Sequence, residues 1–355
     1  MSKTIEQIDR NMAVVTRIED PDVVWHDVHG APFSLHGFCC EQEAGDIFRR
    51  LPKEIAASVS DSVMRLSEYT AGGRVRFKTN SPYVALHAEL GELHPMDHMA
   101  FTGIYGFDLY IKVDGEYFYR GTFRPSTKRE RVFEGRVLLP AGTQEVTIHF
   151  PLYNGVDKLF VGVKEGSDIF APAPYMHEKP VVFYGSSITQ GGCASRPGNA
   201  YTAMISRMLD CDHINLGFSG SCKAEEEMAH YIAQLPMSVF VYDYDHNAPD
   251  AAFLEKTHEK FFRILRAARP DLPVIFVTCP DFYLHEAQRT PCYDVIWRTY
   301  QNALAAGDKK VAFIDGRAIF EGFFKHDCTV DGVHPNDLGF MFMAEKIGKE
   351  VEKWL

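Results

Sequence analysis

Residues 180–355 carry five short apolar runs, at 181–184, 214–216, 239–242, 274–278 and 311–314, with helical patterns between them. This alternation is the tightest constraint on the fold. Parallel strands cannot be joined by a tight turn and need a crossover, usually a helix. Strands that alternate with helices therefore predict a parallel sheet covered on both faces. The helical periods are explicit. Tyr201, Met204, Ile205, Met208 and Leu209 fall on one apolar face, and Phe253, Leu254, Phe261, Ile264, Leu265 and Ala268 on another. Arg269-Pro270 ends the second, because proline cannot continue a helix. A last helix, from about residue 337 to the end, closes this half.

The first half has a different period. In RVRFK (74–78), Val75 and Phe77 share a face and the charges lie on the other. Val146, Ile148 and Phe150 alternate in the same way, as do Leu109, Ile111 and Val113. Period two predicts half-buried strands. Asp114-Gly115, followed by EYFYRGTF, predicts a hairpin with a two-residue turn. Residues 42–57 read as a short helix and loop. Many short strands with regular turns predict an antiparallel β-sandwich. The segment APAPYMHEKP (171–180) reads as a linker. The expected division is a sandwich over 1–175 and an α/β domain over 176–355.

Charge limits the partners. Lys and Arg total 37 against 48 Asp and Glu, a net charge of −11. Such a surface repels phosphate backbones and anionic lipid, so neither nucleic acid nor membrane is an expected partner. No apolar run is long enough for a transmembrane helix, and residues 1–11 lack the apolar core of a signal peptide. The eight cysteines show no paired spacing, which predicts free thiols. A cytoplasmic location is the expectation.

Ligands of open parallel sheets bind beyond the carboxyl ends of strands. The polar residues there are Gly185 to Gly191 after the first strand, Gly217 to Ser221 after the second and Asp243 to Asn247 after the third; Asp331 to Pro335 precede the last helix. They suit acyl transfer. A serine is a weak nucleophile until a base takes its proton. Histidine is the usual base, and a carboxylate fixes its tautomer and stabilises the imidazolium. Asp331 and His334 stand three apart, so one loop can present both. Glycine-rich turns bring N–H groups close to a developing oxyanion, and the Asn247 side chain offers another N–H.

These residues resemble the SGNH hydrolases, also called the GDSL esterase/lipase superfamily. Gly185-Ser186-Ser187-Ile188 is similar to the G-D-S-[LI] block, Asn215 to Gly220 to the N-x-G-x-S-G block, Asp245 to Ala248 loosely to G-x-N-D, and Asp331 to His334 to D-x-x-H. Ser186 stands where the family has aspartate. Gly106-Phe-Asp-Leu-Tyr110 looks like the GxDLY signature of a β domain that precedes one SGNH subgroup. The resemblance implies a three-layer α/β/α, flavodoxin-like catalytic domain after a jelly-roll-like sandwich. It implies Ser187 as nucleophile, His334 as base and Asp331 as its partner. The oxyanion hole would comprise the N–H groups of Ser187 and Gly220 and the side chain of Asn247. No metal and no organic cofactor are implied.

Other features have two readings. Arg196 could line the substrate site or brace a loop by a salt bridge. His94, Asp97 and His98 could bind metal, but Pro95 breaks the helix that would align both histidines, so no metal site is expected. The same loop, 94–107, could cap the active site, and residues 281–292 could line it. The expected function is a serine esterase removing a short acyl group, acetyl, from a carbohydrate or small-molecule ester. The alternatives are an acyltransferase with the same triad, separable by adding acceptors, and a non-catalytic carbohydrate-binding protein, which the intact triad argues against. The sequence leaves the natural substrate and the oligomeric state open.

Overall fold

The computed structural model describes residues 17–127, 129–280 and 285–355. The first half forms two antiparallel sheets. Its strands are β1 (Val23–Asp27), β2 (Ser34–His36), β3 (Arg74–Thr79), β4 (Tyr83–Leu90), β5 (Phe107–Val113), β6 (Glu116–Phe123), β7 (Val132–Leu138), β8 (Gln144–His149), β9 (Val156–Lys164) and β10 (Ile169–Phe170). One sheet runs β1-β9-β4-β7; the other runs β10-β3-β8-β5-β6, with β2 paired to β3. The Asp114-Gly115 turn joins β5 to β6, with φ of 51° and 87° at its two residues. Both are left-handed, as a hairpin turn of this length requires.

The second half holds β11 (His177–Gly185), β12 (Cys211–Gly217), β13 (Val239–Asp243), β14 (Val274–Val277) and β15 (Val311–Ile314). They pair in parallel, in the order β12-β11-β13-β14-β15. The predicted helices are present as Tyr201–Leu209, Ala251–Ala268 and Asp337–Glu352. Arg269 is the C-cap of the second, directly before Pro270. From β11 the chain steps to one side for β12, then crosses back to β13 on the other. The loops after β11 and β13 therefore part at this reversal, which is where such sheets bind ligands.

The two halves share a core. Phe150, Leu152 and Tyr153 of the sandwich belong to one apolar cluster with Val181, Ile188 and Ala194. This contact corrects the reading of β3 as half-buried. Arg74 is 0% exposed and Arg76 1%. The face that carries them is covered by the other half and the connecting segment. Arg74 pairs with Asp212 and donates to the His213 carbonyl, while the Arg76 guanidinium stacks 3.8 Å from the Tyr175 ring centroid.

The expected single short helix near residues 42–57 is a pair, Lys53–Val59 and Asp61–Leu66. The Ser60 side chain caps the second by accepting from Val63 N–H. The pair lies in the first half of the chain but packs on the second: Ala56, Val63 and Leu66 cluster with Phe218, Met228 and Ile232. Just before it, Arg50 is fully buried. Among the described residues its side chain makes four hydrogen bonds, all to backbone carbonyls: Leu66 at 2.8 Å, Tyr69 at 2.7 Å, Asn215 at 3.0 Å and Gly217 at 2.6 Å. Its guanidinium also lies 4.4 Å from the Phe218 ring centroid. One first-half cation thus holds the carboxyl end of β12.

Among the described residues no disulfide is present. Among the described residues no helix is long and apolar enough to cross a membrane.

Candidate active site

Strand β11 ends at Gly185, and its tight surroundings explain the glycine: a Cβ there would lie 2.1 Å from both the Asp243 carbonyl oxygen and Thr189 Oγ1. A short helix, Ser187–Gln190, follows at once. Ser186 caps it, its hydroxyl accepting from Ile188 N–H at 3.2 Å. The serine thus does locally what an aspartate could do there as a cap. Beneath the turn, Asp243 Oδ2 accepts from Thr189 and Tyr201 hydroxyls, both at 3.2 Å. Burial, aided by neighbouring Asp245, pushes the Asp243 carboxyl well above its ordinary range.

The three residues proposed from the motifs meet. Ser187 Oγ lies 2.9 Å from His334 Nε2, and His334 Nδ1 lies 2.7 Å from Asp331 Oδ2. Asp331 Oδ1 also accepts from the N–H groups of Val333 at 3.0 Å and His334 at 2.8 Å. Burial works to raise the Asp331 pKa, but these hydrogen bonds outweigh it and hold the carboxyl below its ordinary value. An ionised Asp331 keeps Nδ1 protonated, which leaves Nε2 as the acceptor facing the serine. The loop is pinned at its base, where Val330 N–H donates to the His334 carbonyl at 2.9 Å.

The expected oxyanion donors are arranged differently from the sequence reading. Ser187 N–H, at the first position of its helix, takes no partner among the described residues. Gly220 N–H, expected to face the oxyanion, instead donates to Asn247 Oδ1 at 3.1 Å. Asn247 Nδ2 in turn donates to the Phe218 carbonyl at 3.0 Å. A backbone N–H at a turn takes the acceptor within reach, and the Asn247 amide matches both ends of residues 218–220. This pair of bonds fixes the amide's orientation and leaves its second N–H over.

Arg196 also departs from one of its two readings. Its guanidinium donates to Asp108 at 2.8 Å and to the Tyr110 hydroxyl, and stacks 4.1 Å from the Tyr119 ring centroid. These contacts make it a brace and not a group turned to a substrate. They also give the GxDLY residues a physical role. Asp108 is 0% exposed and accepts from both Arg196 and Gly198 N–H, the latter at 2.8 Å. A Cβ on Gly198 would lie 2.7 Å from Asp108 Oδ2, so glycine permits that approach. Arg196→Ala removes a charged partner from a buried carboxylate, which costs about 2–3 kcal/mol. The expected result is a lower melting temperature with KM unchanged; a several-fold rise in KM at unchanged stability would restore the substrate role.

Two contributors escaped the sequence reading. Tyr153, after β8, donates its hydroxyl to the Ser187 carbonyl at 3.0 Å. Asp337 accepts from Ser195 N–H at 2.8 Å, Ser195 Oγ at 2.5 Å and Asn199 Nδ2 at 2.8 Å, tying the loop after the nucleophile to the helix after His334. The only advance signal was position: Asp337 lies three residues beyond the histidine.

The loop at 94–107 reaches the site. The His98 ring centroid is 5.7 Å from that of His334, and the Thr102 hydroxyl donates to the Ser195 carbonyl. Among the described residues, neither His94 nor Asp97 joins His98 in a group close enough to share a metal ion. Of the segment 281–292, residues 281–284 lie outside the described residues, and Glu286 opens a helix that continues to Ala305.

Residues 178–352 match the GDSL-like Lipase/Acylhydrolase family. Residues 23–169 match the N-terminus of Esterase_SGNH_hydro-type proteins, the GxDLY domain. No curated protein matches the chain in sequence. Among solved structures, a Bacteroides ovatus protein classed as a GDSL-like lipase is 27% identical, with a TM-score of 0.84 over 93% of this chain and 97% of its own. A salicylyl-acyltransferase from a tetracycline biosynthetic pathway shares the fold at 19% identity and TM-score 0.75, over 94% of this chain and 98% of its own. So does an acetyl xylan esterase from the rumen bacterium Butyrivibrio proteoclasticus, at 12% identity and TM-score 0.55, over 93% and 98%. The chain belongs to the GDSL-like lipase/acylhydrolase family, with the GxDLY domain that forms the N-terminus of SGNH-hydrolase-type esterases.

Proposed function

We propose that this hydrolase removes a short acyl group, acetyl, from a carbohydrate or other small-molecule ester, with Ser187 as nucleophile. The observation that carries the reading is the continuous relay from Ser187 Oγ through His334 to Asp331, at 2.9 and 2.7 Å. Ser187 Oγ attacks the ester carbonyl while His334 Nε2 takes its proton. The tetrahedral oxyanion is held by Ser187 N–H and the spare N–H of Asn247, and Gly220 N–H joins them if Asn247 Oδ1 releases it. His334 then gives its proton to the departing alcohol, leaving an acyl-serine. Water, deprotonated by the same histidine, attacks this ester and restores the serine.

The turns around Ser187 are glycine and serine rich (Gly191, Gly192, Ser219, Gly220, Ser221), which suits a small acyl group better than a lipid tail. The likeness to an acetyl xylan esterase supports an acetylated carbohydrate, as analogy of fold. The likeness to a salicylyl-acyltransferase keeps a second acceptor in view: an alcohol in place of water yields a new ester from the same acyl-serine.

One experiment tests both. We expect p-nitrophenyl acetate to be hydrolysed with a kcat/KM that falls steeply through butyrate to octanoate. An alkyl fluorophosphonate should abolish the activity and leave a single adduct on Ser187 by mass spectrometry. Rates that rise with chain length would overturn the short-acyl assignment. A transesterified product formed faster than free acid, on adding sugar alcohols, would favour transfer.

A further inference from the structure

We propose that His98, Cys193 and His334 form an inhibitory site for a soft divalent cation, zinc above all. The blocking role rests on His334 being the catalytic base; the binding does not. One ligand atom from each residue lies within 4.8 Å of the other two. They come from three separate segments: the loop before the helix Phe101–Tyr105, the turn after Ser187–Gln190 and the loop before Asp337–Glu352. Their closeness is visible in other contacts. Cys193 Sγ is 3.5 Å from the His98 carbonyl oxygen, and the two imidazole centroids are 5.7 Å apart. A Cβ on Gly192 would lie 3.2 Å from His334 Cδ2, so the ring rests on the residue next to Cys193.

Two imidazoles and a thiolate are a donor set that zinc prefers. With bonds of about 2.0–2.3 Å, tetrahedral ligand atoms stand about 3.3–3.7 Å apart. The three groups need draw together by only about 1 Å, and His98 is exposed. His334 Nδ1 is already held by Asp331 at 2.7 Å, which leaves Nε2 for the metal. A carboxylate behind a ligating imidazole is the usual second partner of zinc histidines. Coordination releases the Cys193 thiol proton to solvent and forms the sulfur–metal bond. It also occupies the Nε2 lone pair that otherwise faces Ser187 Oγ at 2.9 Å. Metal and serine compete for one lone pair, so a bound ion removes the base.

The test uses the full chain with cobalt(II) as a spectroscopic substitute, and zinc against p-nitrophenyl acetate hydrolysis. Cobalt should give thiolate charge-transfer absorption in the wild type that is lost in Cys193→Ser and weakened in His98→Ala. Zinc should inhibit the wild type reversibly, with chelator restoring the rate. The same two variants should keep the metal-free rate and need at least about tenfold more zinc for half-inhibition. A cobalt titration without the thiolate band overturns the site, as does equal inhibition of wild type and both variants. A thiolate band in a chain that turns over no ester supports the site and overturns only the esterase reading.

Discussion

Ser187→Ala is expected to lower kcat for p-nitrophenyl acetate by about 10⁴–10⁶-fold while leaving the fold intact. Among the described residues the side chain makes one hydrogen bond, to His334, and it is only partly buried. Its loss costs stability about 1 kcal/mol at most. The kinetic cost is different in kind, because no acyl-serine can form and catalysis falls back on whatever positioning and oxyanion donors remain. Three groups acting as one unit are not additive. His334→Ala should therefore be nearly as damaging, and the double variant scarcely worse than either single one. The measurement is single-turnover and steady-state hydrolysis on each variant, with circular dichroism as the folding control. Residual kcat above about a tenth of wild type in folded Ser187→Ala would remove the serine from the nucleophile role, since no oxyanion site alone sustains such a rate. Additive losses in the double variant would mean that Ser187 and His334 act in separate steps.

What the sequence discloses is what short segments can encode. Strand and helix periods in residues 180–355 foretell β11 to β15, and each chemical residue stands directly beyond a strand end or before a helix, so local spacing is enough to find it. Asp331 and His334 are found this way because one loop carries both. The misreadings share a cause in long-range packing. The period-two pattern of β3 is real, but it cannot reveal that a second half covers the charged face and buries Arg74 and Arg76. Arg196 is a substrate clamp or a brace until its partner is known, and Asp108 lies 88 residues away. Tyr153, whose hydroxyl reaches the Ser187 carbonyl, lies in a sandwich loop with no motif around it. Gly220 was located correctly in the turn after β12, but the direction of its N–H depends on the Asn247 amide 27 residues on. Sequence blocks locate such groups; their aim is decided by partners from elsewhere in the chain.

Arg50 is where that dependence carries the most energy, and Arg50→Met should show it. Among the described residues no carboxylate hydrogen-bonds the buried guanidinium, and burial pulls its pKa down to about 10, still high enough to keep the charge at neutral pH. Burying an isolated cation is costly. It is tolerated here because four carbonyl oxygens converge on it, two from the first half and two from the end of β12. Methionine fills much of the volume but leaves those oxygens short of a donor. Each charge-assisted bond is worth about 1.5–3 kcal/mol, and since the four are coupled and part of the desolvation cost is recovered, a net loss of about 3–5 kcal/mol is expected. With an unfolding entropy of about 2.1 cal/mol/K per residue, that lowers the melting temperature of 355 residues by roughly 4–7 °C. The catalytic effect comes through Gly217. Its carbonyl, 2.6 Å from Arg50, anchors the start of the turn that runs to Gly220 and meets Asn247. Releasing that anchor should lower kcat by about 10–100-fold at a temperature well below unfolding, because small misplacements of oxyanion donors are expensive. KM should move less. Arg50→Lys separates charge from geometry: an ammonium keeps the cation but cannot span four carbonyls in one plane, so it should recover part of the stability and little of kcat. A melting temperature unchanged in Arg50→Met would show that water replaces the guanidinium without cost. Lost stability with unchanged kcat would confine Arg50 to holding the two halves together. The turn after β12 would then owe its position to its other partners, among them the Gly185 carbonyl, which accepts from Phe218 N–H at 3.0 Å, the Gln190 side chain, which accepts from Ser219 N–H at 3.0 Å, and Asn247.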